Sequence, residues 1–248
     1  MRVLRMIKAA FCFFLFGIGG FTIGAVIFPL LCLFLPKEKQ RLCFSNLIHH
    51  SWQIFIGLMC FWGIIKIEIN EKQTLSSLQG HIVVSNHPSL IDIVILISLI
   101  PRAICIVKGR LAKNIFMQRI IKKIYLVNDL EPVDLVEKAQ EALCQGFNVI
   151  IFPEGTRTDF KKKDIKLHRG FAHLAIASHA PVLPIKISSF PHILGKKQKW
   201  YDLGNKTSVY KLDVFEPIIP LKQQNMSDYS FSLKLTDCVK KKIFDDIL

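Results

Sequence analysis

The distribution of apolar and polar positions divides the chain at about residue 64. Before that point the chain is dominated by an uncharged apolar run, residues 9–35, with basic residues on both sides. About 20 apolar residues suffice to span a bilayer, so the run predicts a transmembrane helix. Four glycines and Pro29 lie inside it, and a helical hairpin that enters one leaflet is an equal alternative. Because both flanks are basic, the positive-inside rule selects no orientation.

A second apolar stretch, residues 50–65, contains Trp52 and Trp62. Tryptophan is enriched at the membrane–water interface, which favours a helix lying against the bilayer. A helix in an ordinary protein core would give the same pattern, so both interpretations stay open. In either case we expect residues 1–63 to form membrane-associated hydrophobic helices.

Beyond residue 64, short apolar runs alternate with helical stretches. Strand-like runs lie at residues 64–69, 81–85, 103–107, 124–127, 149–152, 182–187 and 209–215, and helical patterns at 91–100, 133–145, 170–179 and 230–248. Strands that alternate with helices are typical of a largely parallel sheet. We therefore expect residues 64–248 to form an α/β domain, with a mixed, mostly parallel sheet covered by helices.

Composition and charge favour a lipid partner. Hydrophobic residues make up 51% of the 248 positions, and the formal net charge is +14. Excess positive charge favours an anionic partner, which beside so much apolar sequence is expected to be membrane phospholipid and not nucleic acid. The seven cysteines include no Cys-x-x-Cys pair, which predicts reduced, buried thiols. The α/β domain is accordingly expected to face the cytosol, at the inner (cytoplasmic) membrane.

Polar side chains follow the predicted strand at residues 81–85. The segment SNHPSLID, residues 85–92, then opens a predicted helix. Open α/β sheets bind their ligands at this carboxyl edge. Pro88 keeps His87 out of the helical conformation, so the chain turns and the imidazole can reach Asp92. One ring nitrogen would then bond the carboxylate, and the other would be a general base.

The same residues admit a purely structural interpretation. Ser89 and Asp92 have the spacing of a capping box, with Ser89 as N-cap and the helix beginning at Leu90. Asp92 could then do no more than cap a helix. The general-base interpretation therefore needs support from elsewhere in the chain.

That support comes from the segment FPEGTR, residues 152–157, which also follows a predicted strand and should reach the same sheet edge. Gly155 permits a tight turn, and the Arg157 guanidinium suits a phosphate. Glu154 beside an anion site is explained by pairing with Arg157 or by a bond to a substrate hydroxyl. The basic residues that follow would dock lipid phosphates or an acidic carrier protein, or form a solvated loop: Lys161, Lys162, Lys163, Lys166, His168 and Arg169.

Together these segments resemble the glycerolipid acyltransferase family, whose best-known members are the 1-acylglycerol-3-phosphate acyltransferases. Residues 86–92 match the family's catalytic motif and residues 152–157 its substrate motif, while residues 180–185 resemble its final apolar motif. The resemblance covers roughly residues 80–188. It implies an α/β sheet domain with an N-terminal hydrophobic helical element.

The resemblance also implies a reaction. His87 would activate the hydroxyl of a lysophospholipid for attack on acyl-CoA or acyl-ACP (acyl carrier protein), and Asp92 would stabilise the imidazolium. Backbone amides near Gly155 would stabilise the oxyanion. No covalent enzyme intermediate, metal or cofactor beyond the thioester co-substrate is implied. The residues implied in substrate binding are Asn86, Ser89, Asn128, Glu154, Gly155, Thr156 and Arg157.

One position departs from the family's pattern. The family usually has a strand that ends in an arginine for the acceptor phosphate, and the matching stretch here ends at Asn128. Asparagine carries no charge, so either a lysolipid with another head group is the acceptor, or Arg119, Lys122 or Lys123 supplies the charge. The departure also motivates a transacylase, or an acyltransferase for another amphiphile. A non-enzymatic membrane protein that binds anionic lipid is the last alternative.

Overall fold

The computed structural model describes residues 2–107, 109, 121, 124–127, 131–158, 165–196, 198–221 and 226–244. Within them lie seven strands: β1 Ile65–Ile69, β2 Ile82–Ser85, β3 Ala103–Val107, β4 Leu126–Val127, β5 Asn148–Ile151, β6 Val182–Phe190 and β7 Ser208–Val214. They form one sheet in the order β1-β7-β6-β2-β5-β3-β4. Every pairing is parallel except that of β6 with β7. The predicted mixed, mostly parallel α/β sheet is confirmed.

Eight α-helices accompany these strands in the described part of the chain: α1 Arg2–Thr22, α2 Phe28–Phe34, α3 Lys37–Phe61, α4 Lys72–Ser76, α5 Asp92–Leu99, α6 Pro132–Cys144, α7 Gly170–Ser178 and α8 Asp228–Phe244. Helices α3 and α5 pack together and contact β3, whereas α6, α7 and α8 form a second group against β5, β2 and β6. Because crossovers are right-handed and the chain reverses its direction along the sheet after β4, the two groups lie on opposite faces. Strand β2 is consequently buried at all of its positions.

The N-terminal helices form a hairpin. Helix α1, a π-helical segment at Ile23–Ile27 and α2 follow one another without interruption, and α3 returns antiparallel to them. Ring contacts hold the two arms together: Phe28 stacks on Phe44 with centroids 4.0 Å apart, and Phe16 on Trp52 at 4.7 Å. The helix at Val3–Phe34 is long and apolar enough to cross a membrane, with mean hydropathy 2.2 and 22% of its most apolar window buried. The N-terminal apolar helix is thus suited to membrane association.

The apolar run does not fold back within residues 9–35, contrary to the predicted hairpin alternative. Pro29 interrupts the regular pattern without reversing the chain. The Phe28 N–H bonds the Ile23 carbonyl five residues back, and this wider turn accommodates a proline that has no N–H to donate. The reversal comes at Leu35 and Pro36, where the backbone is extended. There the buried Gln40 side chain donates to the Leu35 carbonyl at 2.9 Å and closes the end of α2.

The hairpin contacts the α/β domain at two opposite edges of the sheet. Near its start, α3 contacts the domain through the Arg41 guanidinium, 5.0 Å from the ring centroid of Phe147, just before β5. Beyond its other end, Arg5 of α1 donates to the Gly63 and Ile64 carbonyls at 3.0 and 3.3 Å, just before β1. Buried side chains on both sides of the predicted division at residue 64 form one continuous cluster.

Most predicted element boundaries lie within two residues of the observed ones. Strand β6 continues to Phe190, beyond the predicted end at residue 187, because β7 pairs with it as far as Phe190. The strand predicted at 124–127 is confined to Leu126–Val127, and Ile124 is helical. The last four residues of the helix predicted at 230–248 lie outside the described part of the chain.

The cysteines are all free thiols, as predicted. Contrary to the expectation of buried thiols, only Cys12 and Cys105 are buried, Cys144 is exposed, and the others are half-buried: Cys32, Cys43, Cys60 and Cys238. Cys144 is the last residue of α6 and lies on the outer side of this amphipathic helix, next to the buried Leu143.

Candidate active site

The two motif loops meet at one edge of the sheet, as predicted. Strands β2 and β5 are parallel neighbours, so the loops that follow them leave the sheet side by side. The Thr158 N–H donates to the His87 carbonyl at 2.7 Å, which joins the two loops directly. The site therefore lies at the carboxyl edge of the central strands, where open α/β sheets bind ligands.

His87 and Asp92 lie within hydrogen-bonding distance. The Nδ1 atom of His87 is 3.0 Å from Oδ2 of Asp92, which is fully buried, while the His87 side chain is 19% exposed. The imidazole stacks on the Phe152 ring with centroids 4.2 Å apart and planes 16° apart. No residue in the described part of the chain bonds Nε2 of His87. With the carboxylate ionised, Nδ1 carries the proton and Nε2 presents a lone pair, as a general base requires.

Asp92 both orients His87 and organises the turn before α5. Its Oδ2 also accepts the Ser89 N–H at 2.6 Å, and its Oδ1 accepts the Ser89 hydroxyl at 2.5 Å. The helix begins at Asp92 and not at Leu90, and Ser89 donates to the carboxylate and makes no N-cap bond. The predicted cap at Ser89 is therefore wrong, and the Asp92 carboxylate holds both the imidazole and the turn before the helix.

Burial governs the electrostatics of Asp92. Removal from solvent raises the pKa of its carboxyl above the ordinary value, while the bonds from His87 and Ser89 act in the opposite direction. An ionised carboxylate with no water around it depends on such donors. These three bonds consequently make an ionised Asp92 possible inside the protein.

Glu154 and Thr158 hold the backbone of His87. Oε1 of Glu154 accepts the His87 N–H at 3.0 Å and the Thr158 hydroxyl at 2.7 Å. The same His87 N–H also lies 3.1 Å from Oγ1 of Thr158, which is buried. Burial raises the pKa of the Glu154 carboxyl above its ordinary value. One prediction paired Glu154 with Arg157. In the structure Glu154 instead accepts bonds from the His87 backbone and the Thr158 hydroxyl.

Arg157 braces a third segment, the loop that follows β6. Its Nη1 donates to the carbonyls of Leu194 at 3.1 Å and Gly195 at 2.8 Å. The Leu194 carbonyl also accepts the Leu90 N–H at 3.0 Å, from the turn before α5. Arg157 thus links the loops after β2, β5 and β6, and its predicted bond to a substrate phosphate stays a prediction.

Three other predicted residues have distinct environments. The buried Asn86 side chain donates to the Ile187 carbonyl and accepts the Ile187 N–H, both at 2.7 Å, so it extends the pairing of β2 with β6. Gly155 has φ +63°, and a side chain there would lie 3.3 Å from the His168 ring. Its N–H donates to the Phe152 carbonyl at 3.1 Å. Thr156 is exposed beside it.

Most of the other residues predicted to bind phosphate lie outside the described part of the chain. They are Asn128, Arg119, Lys122 and Lys123, together with the basic residues Lys161, Lys162 and Lys163. Lys166 and His168 are described and exposed, and Arg169 packs its guanidinium 4.8 Å from the centroid of the Tyr229 ring.

Two contributors to the site were not predicted. Thr158 directly follows the FPEGTR segment, and this adjacency was the only available signal. Tyr210 lies on β7, fully buried, with its hydroxyl 3.5 Å from the Ile193 carbonyl. Burial and the nearby Asp92 carboxylate raise the pKa of Tyr210. It occupies an ordinary inward position of an alternating strand, so no sequence pattern distinguishes it from a core residue.

Comparisons with known proteins agree with this geometry. The family model described as Acyltransferase matches residues 66–188. The 1-acyl-sn-glycerol-3-phosphate acyltransferase alpha of Mus musculus is 30% identical over 152 residues, which cover 58% of this chain and 53% of that protein. The 1-acyl-sn-glycerol-3-phosphate acyltransferase of Cocos nucifera is 25% identical over 206 residues, covering 79% and 62%. The chain spans about half the length of the mouse relative it matches.

A solved structure has the same fold. The crystal structure of the 1-acyl-sn-glycerophosphate (LPA) acyltransferase PlsC from Thermotoga maritima superposes with a TM-score of 0.73 at 22% sequence identity, covering 98% of this chain and 96% of that one. The likeness therefore includes the N-terminal hairpin as well as the sheet. Since the family match at residues 66–188 contains both motif loops, the chain belongs to the acyltransferase family.

Proposed function

We propose that the protein is an O-acyltransferase that moves a fatty acyl group from a thioester, acyl-CoA or acyl-ACP, to the hydroxyl of a lysophospholipid such as 1-acyl-glycerol-3-phosphate. The observation that carries the proposal is the 3.0 Å contact of His87 Nδ1 with a fully buried Asp92. The names of the curated relatives support the acceptor class and a place in phospholipid biosynthesis or remodelling.

The reaction needs no covalent enzyme intermediate. His87 Nε2 removes the proton of the acceptor hydroxyl while the hydroxyl oxygen attacks the thioester carbonyl. A carbon–oxygen bond forms and the carbonyl oxygen becomes an oxyanion. The tetrahedral intermediate then expels the thiolate, which takes the proton from the imidazolium. Asp92 stabilises that imidazolium between the two steps, and the products are the acylated lipid and a free thiol.

An apolar cavity supports a fatty acyl substrate. It has a volume of about 600 Å³, lies between α1 and α3, and is bounded on a third side by Tyr125. Ligand pockets typically enclose about 300–1,000 Å³, and each buried methylene gains about 0.8 kcal/mol. Three glycines of α1, Gly17, Gly19 and Gly20, line it, and a side chain at any of them would meet no atom within 4 Å. We assign this cavity to an acyl chain.

Attachment to the membrane would use the outer side of the hairpin. Large apolar side chains are exposed along α1 and α2, including Phe14, Ile18 and Phe34. Because α3 packs on α5, β1 and β3 and Arg41 contacts Phe147, a hairpin crossing the bilayer would take the domain into the membrane with it. We therefore propose that the hairpin enters one leaflet, with the α/β domain facing the cytosol.

A different acceptor is the second candidate. Asn128 stands where the family usually has an arginine. Arg157, the other predicted phosphate ligand, donates to the carbonyls of Leu194 and Gly195. Both observations favour a lysolipid or other amphiphile whose head group is not a phosphate monoester, or acyl transfer between two lipids.

An acceptor screen tests these candidates. Purified full-length protein is incubated with labelled acyl-CoA or acyl-ACP and a panel of lysolipids, and the products are identified by mass spectrometry beside a His87→Ala variant. We expect thioester-dependent acylation that falls by about 10²–10⁴-fold in the variant. Transfer without thioester consumption would identify a transacylase. Binding of lipid with no acyl transfer to any acceptor, in wild type as in the variant, would reject the enzyme.

A further inference from the structure

The loop between β6 and β7, residues 191–207, is engaged at both of its ends. Its first part belongs to the site, since Arg157 donates to the Leu194 and Gly195 carbonyls. The Gln198 side chain closes this part by accepting the Gly195 N–H at 2.8 Å and donating to the His192 carbonyl at 3.0 Å. The loop's second part, from Lys199 onward, lies beside the hairpin.

Two contacts hold the second part against α1. The Trp200 ring meets the Phe13 ring edge-on, with centroids 5.9 Å apart and planes at 74°. The Arg5 guanidinium donates to the Lys206 carbonyl at 2.9 Å. Arg5 and Phe13 are eight residues apart, about 12 Å along a helix, so the loop follows the first half of α1.

The surface of this loop is aromatic and basic. Trp200 is 47% exposed and Tyr201 is 42% exposed, although large aromatic side chains are usually mostly buried. Lys199 Nζ lies 5.5 Å from the centroid of the Tyr201 ring, and Lys196 and Lys206 are exposed beside them. Asp202 is the acidic residue among these side chains. On α1, Phe11 and Phe14 are exposed on either side of Phe13 in the sequence.

We infer that the loop surface made of Lys196, Lys199, Trp200, Tyr201 and Lys206 is a second membrane contact, and that its partner is an anionic phospholipid bilayer. Tryptophan and tyrosine favour the level of the lipid head groups, and each lysine near an anionic surface gains about fivefold in partitioning. The surface continues the exposed apolar side of α1, which supports a lipid partner over a protein one.

This contact would deliver the acceptor to the site. The inference rests on the proposed attachment of the hairpin to a membrane, but not on the identity of the acyl donor. The loop that meets the bilayer at Trp200 is bonded to Arg157 at Gly195, five residues earlier. A lysolipid held in the outer part of the leaflet would therefore lie close to His87 without leaving the membrane.

Vesicle binding of the full-length protein tests the inference. Flotation is measured with phosphatidylcholine vesicles, with and without phosphatidylglycerol, for wild type, Trp200→Ala/Tyr201→Ala and Lys199→Ala/Lys206→Ala. We expect the aromatic variant to bind both vesicle types less tightly. The lysine variant should lose about 25-fold on anionic vesicles at low salt and be unchanged on neutral ones. Leu221→Ala is the matched control, since Leu221 is 78% exposed near the opposite end of β6.

The possible outcomes distinguish the membrane contact of the loop from the membrane attachment of the hairpin. Equal binding of wild type and both variants would overturn the loop contact and leave hairpin attachment intact. Failure of wild type to bind any vesicle would overturn hairpin attachment as well. Quenching of tryptophan fluorescence by brominated lipid, compared between wild type and Trp200→Phe, gives a readout that does not depend on the alanine variants folding. A signal that is identical in both proteins would contradict the inference.

Discussion

At the residue scale, the buried Asp92 and the half-buried Glu154 organise the candidate site. Asp92 accepts three hydrogen bonds from His87 and Ser89, and Glu154 accepts two from the His87 backbone and Thr158. Asp92 thus sets the direction of the imidazole, while Glu154 and Thr158 set the position of its backbone. An imidazole held at its ring and at its backbone would lose little entropy on acting as the proposed general base.

Replacing Asp92 by asparagine should abolish most activity. The amide would donate to Nδ1 of His87, which moves the ring proton to Nε2 and removes the base. We expect kcat/KM for acyl transfer to fall by about 10²–10⁴-fold. Asp213→Asn is the control, because Asp213 pairs with Lys211 at 3.3 Å at outward positions of β7, where neither side chain is buried. Equal effects of the two substitutions would contradict the assigned role.

Thr158→Val tests the bond to the backbone of His87. Valine keeps the volume but loses the hydroxyl that bonds Glu154 and His87, which should lower the free energy of unfolding by about 1–3 kcal/mol. We expect kcat to fall more than KM rises, because the hydroxyl positions the base and does not touch substrate. Thr158→Ser retains the hydroxyl and should recover wild-type rates. A serine variant as impaired as valine would point to packing instead.

Glu154→Gln should change how stability depends on pH. Burial raises the pKa of Glu154 in the folded protein, so the folded state binds this proton more tightly than the unfolded state does. The stability that this proton contributes is therefore present below the ordinary glutamate pKa. It is lost as the pH rises through the raised pKa of the folded state. Glutamine can still accept both bonds but does not titrate. Melting temperatures between pH 4 and 7 should therefore decline less in the variant than in wild type. Parallel curves would show that Glu154 has an ordinary pKa.

At the element scale, α1 is unusual for its glycines. Gly17, Gly19 and Gly20 weaken a helix by about 1 kcal/mol each relative to alanine, and none of them is needed for close packing. All three line the apolar cavity. Their missing side chains leave room that larger residues would fill, which is what the proposed binding of an acyl chain there requires.

Gly20→Leu should shorten the preferred acyl chain. The leucine would occupy the cavity while raising the helix propensity of α1, so transfer of long acyl chains should fall and transfer of short ones should persist. Product chain lengths are measured by mass spectrometry with a mixture of donors. Gly57→Leu is the matched control, because Gly57 lies on α3 outside the cavity lining, and a side chain there would likewise meet no atom within 4 Å. An unchanged chain-length profile in Gly20→Leu would exclude the cavity.

At the scale of the whole molecule, the hairpin is part of the folded domain. Arg41 stacks on Phe147 at one end of the sheet, and Arg5 bonds Gly63 at the other. The hairpin tip at Leu35 and Pro36 therefore lies on the side of the domain that also carries the exposed Cys144.

Labelling of cysteines in sealed membrane vesicles tests the one-leaflet arrangement. A Glu38→Cys variant that also carries Cys144→Ser should react with a membrane-impermeant maleimide from the same side as Cys144 of the wild type. A bilayer-spanning hairpin would instead expose position 38 on the opposite side. Labelling of the two positions from opposite sides would therefore reject the arrangement.

By itself, the sequence determined the elements and the place of the site. Apolar periodicity located the strands and helices. Each motif loop directly follows a strand, which predicted that both loops lie at the carboxyl edge of a parallel sheet. The tertiary structure alone decided what the side chains bond. Arg157 reaches Leu194 and Arg5 reaches Lys206, contacts 37 and 201 residues apart in the chain. Such contacts depend on the packing of distant segments, which no local spacing encodes, and the same holds for the hairpin and its cavity.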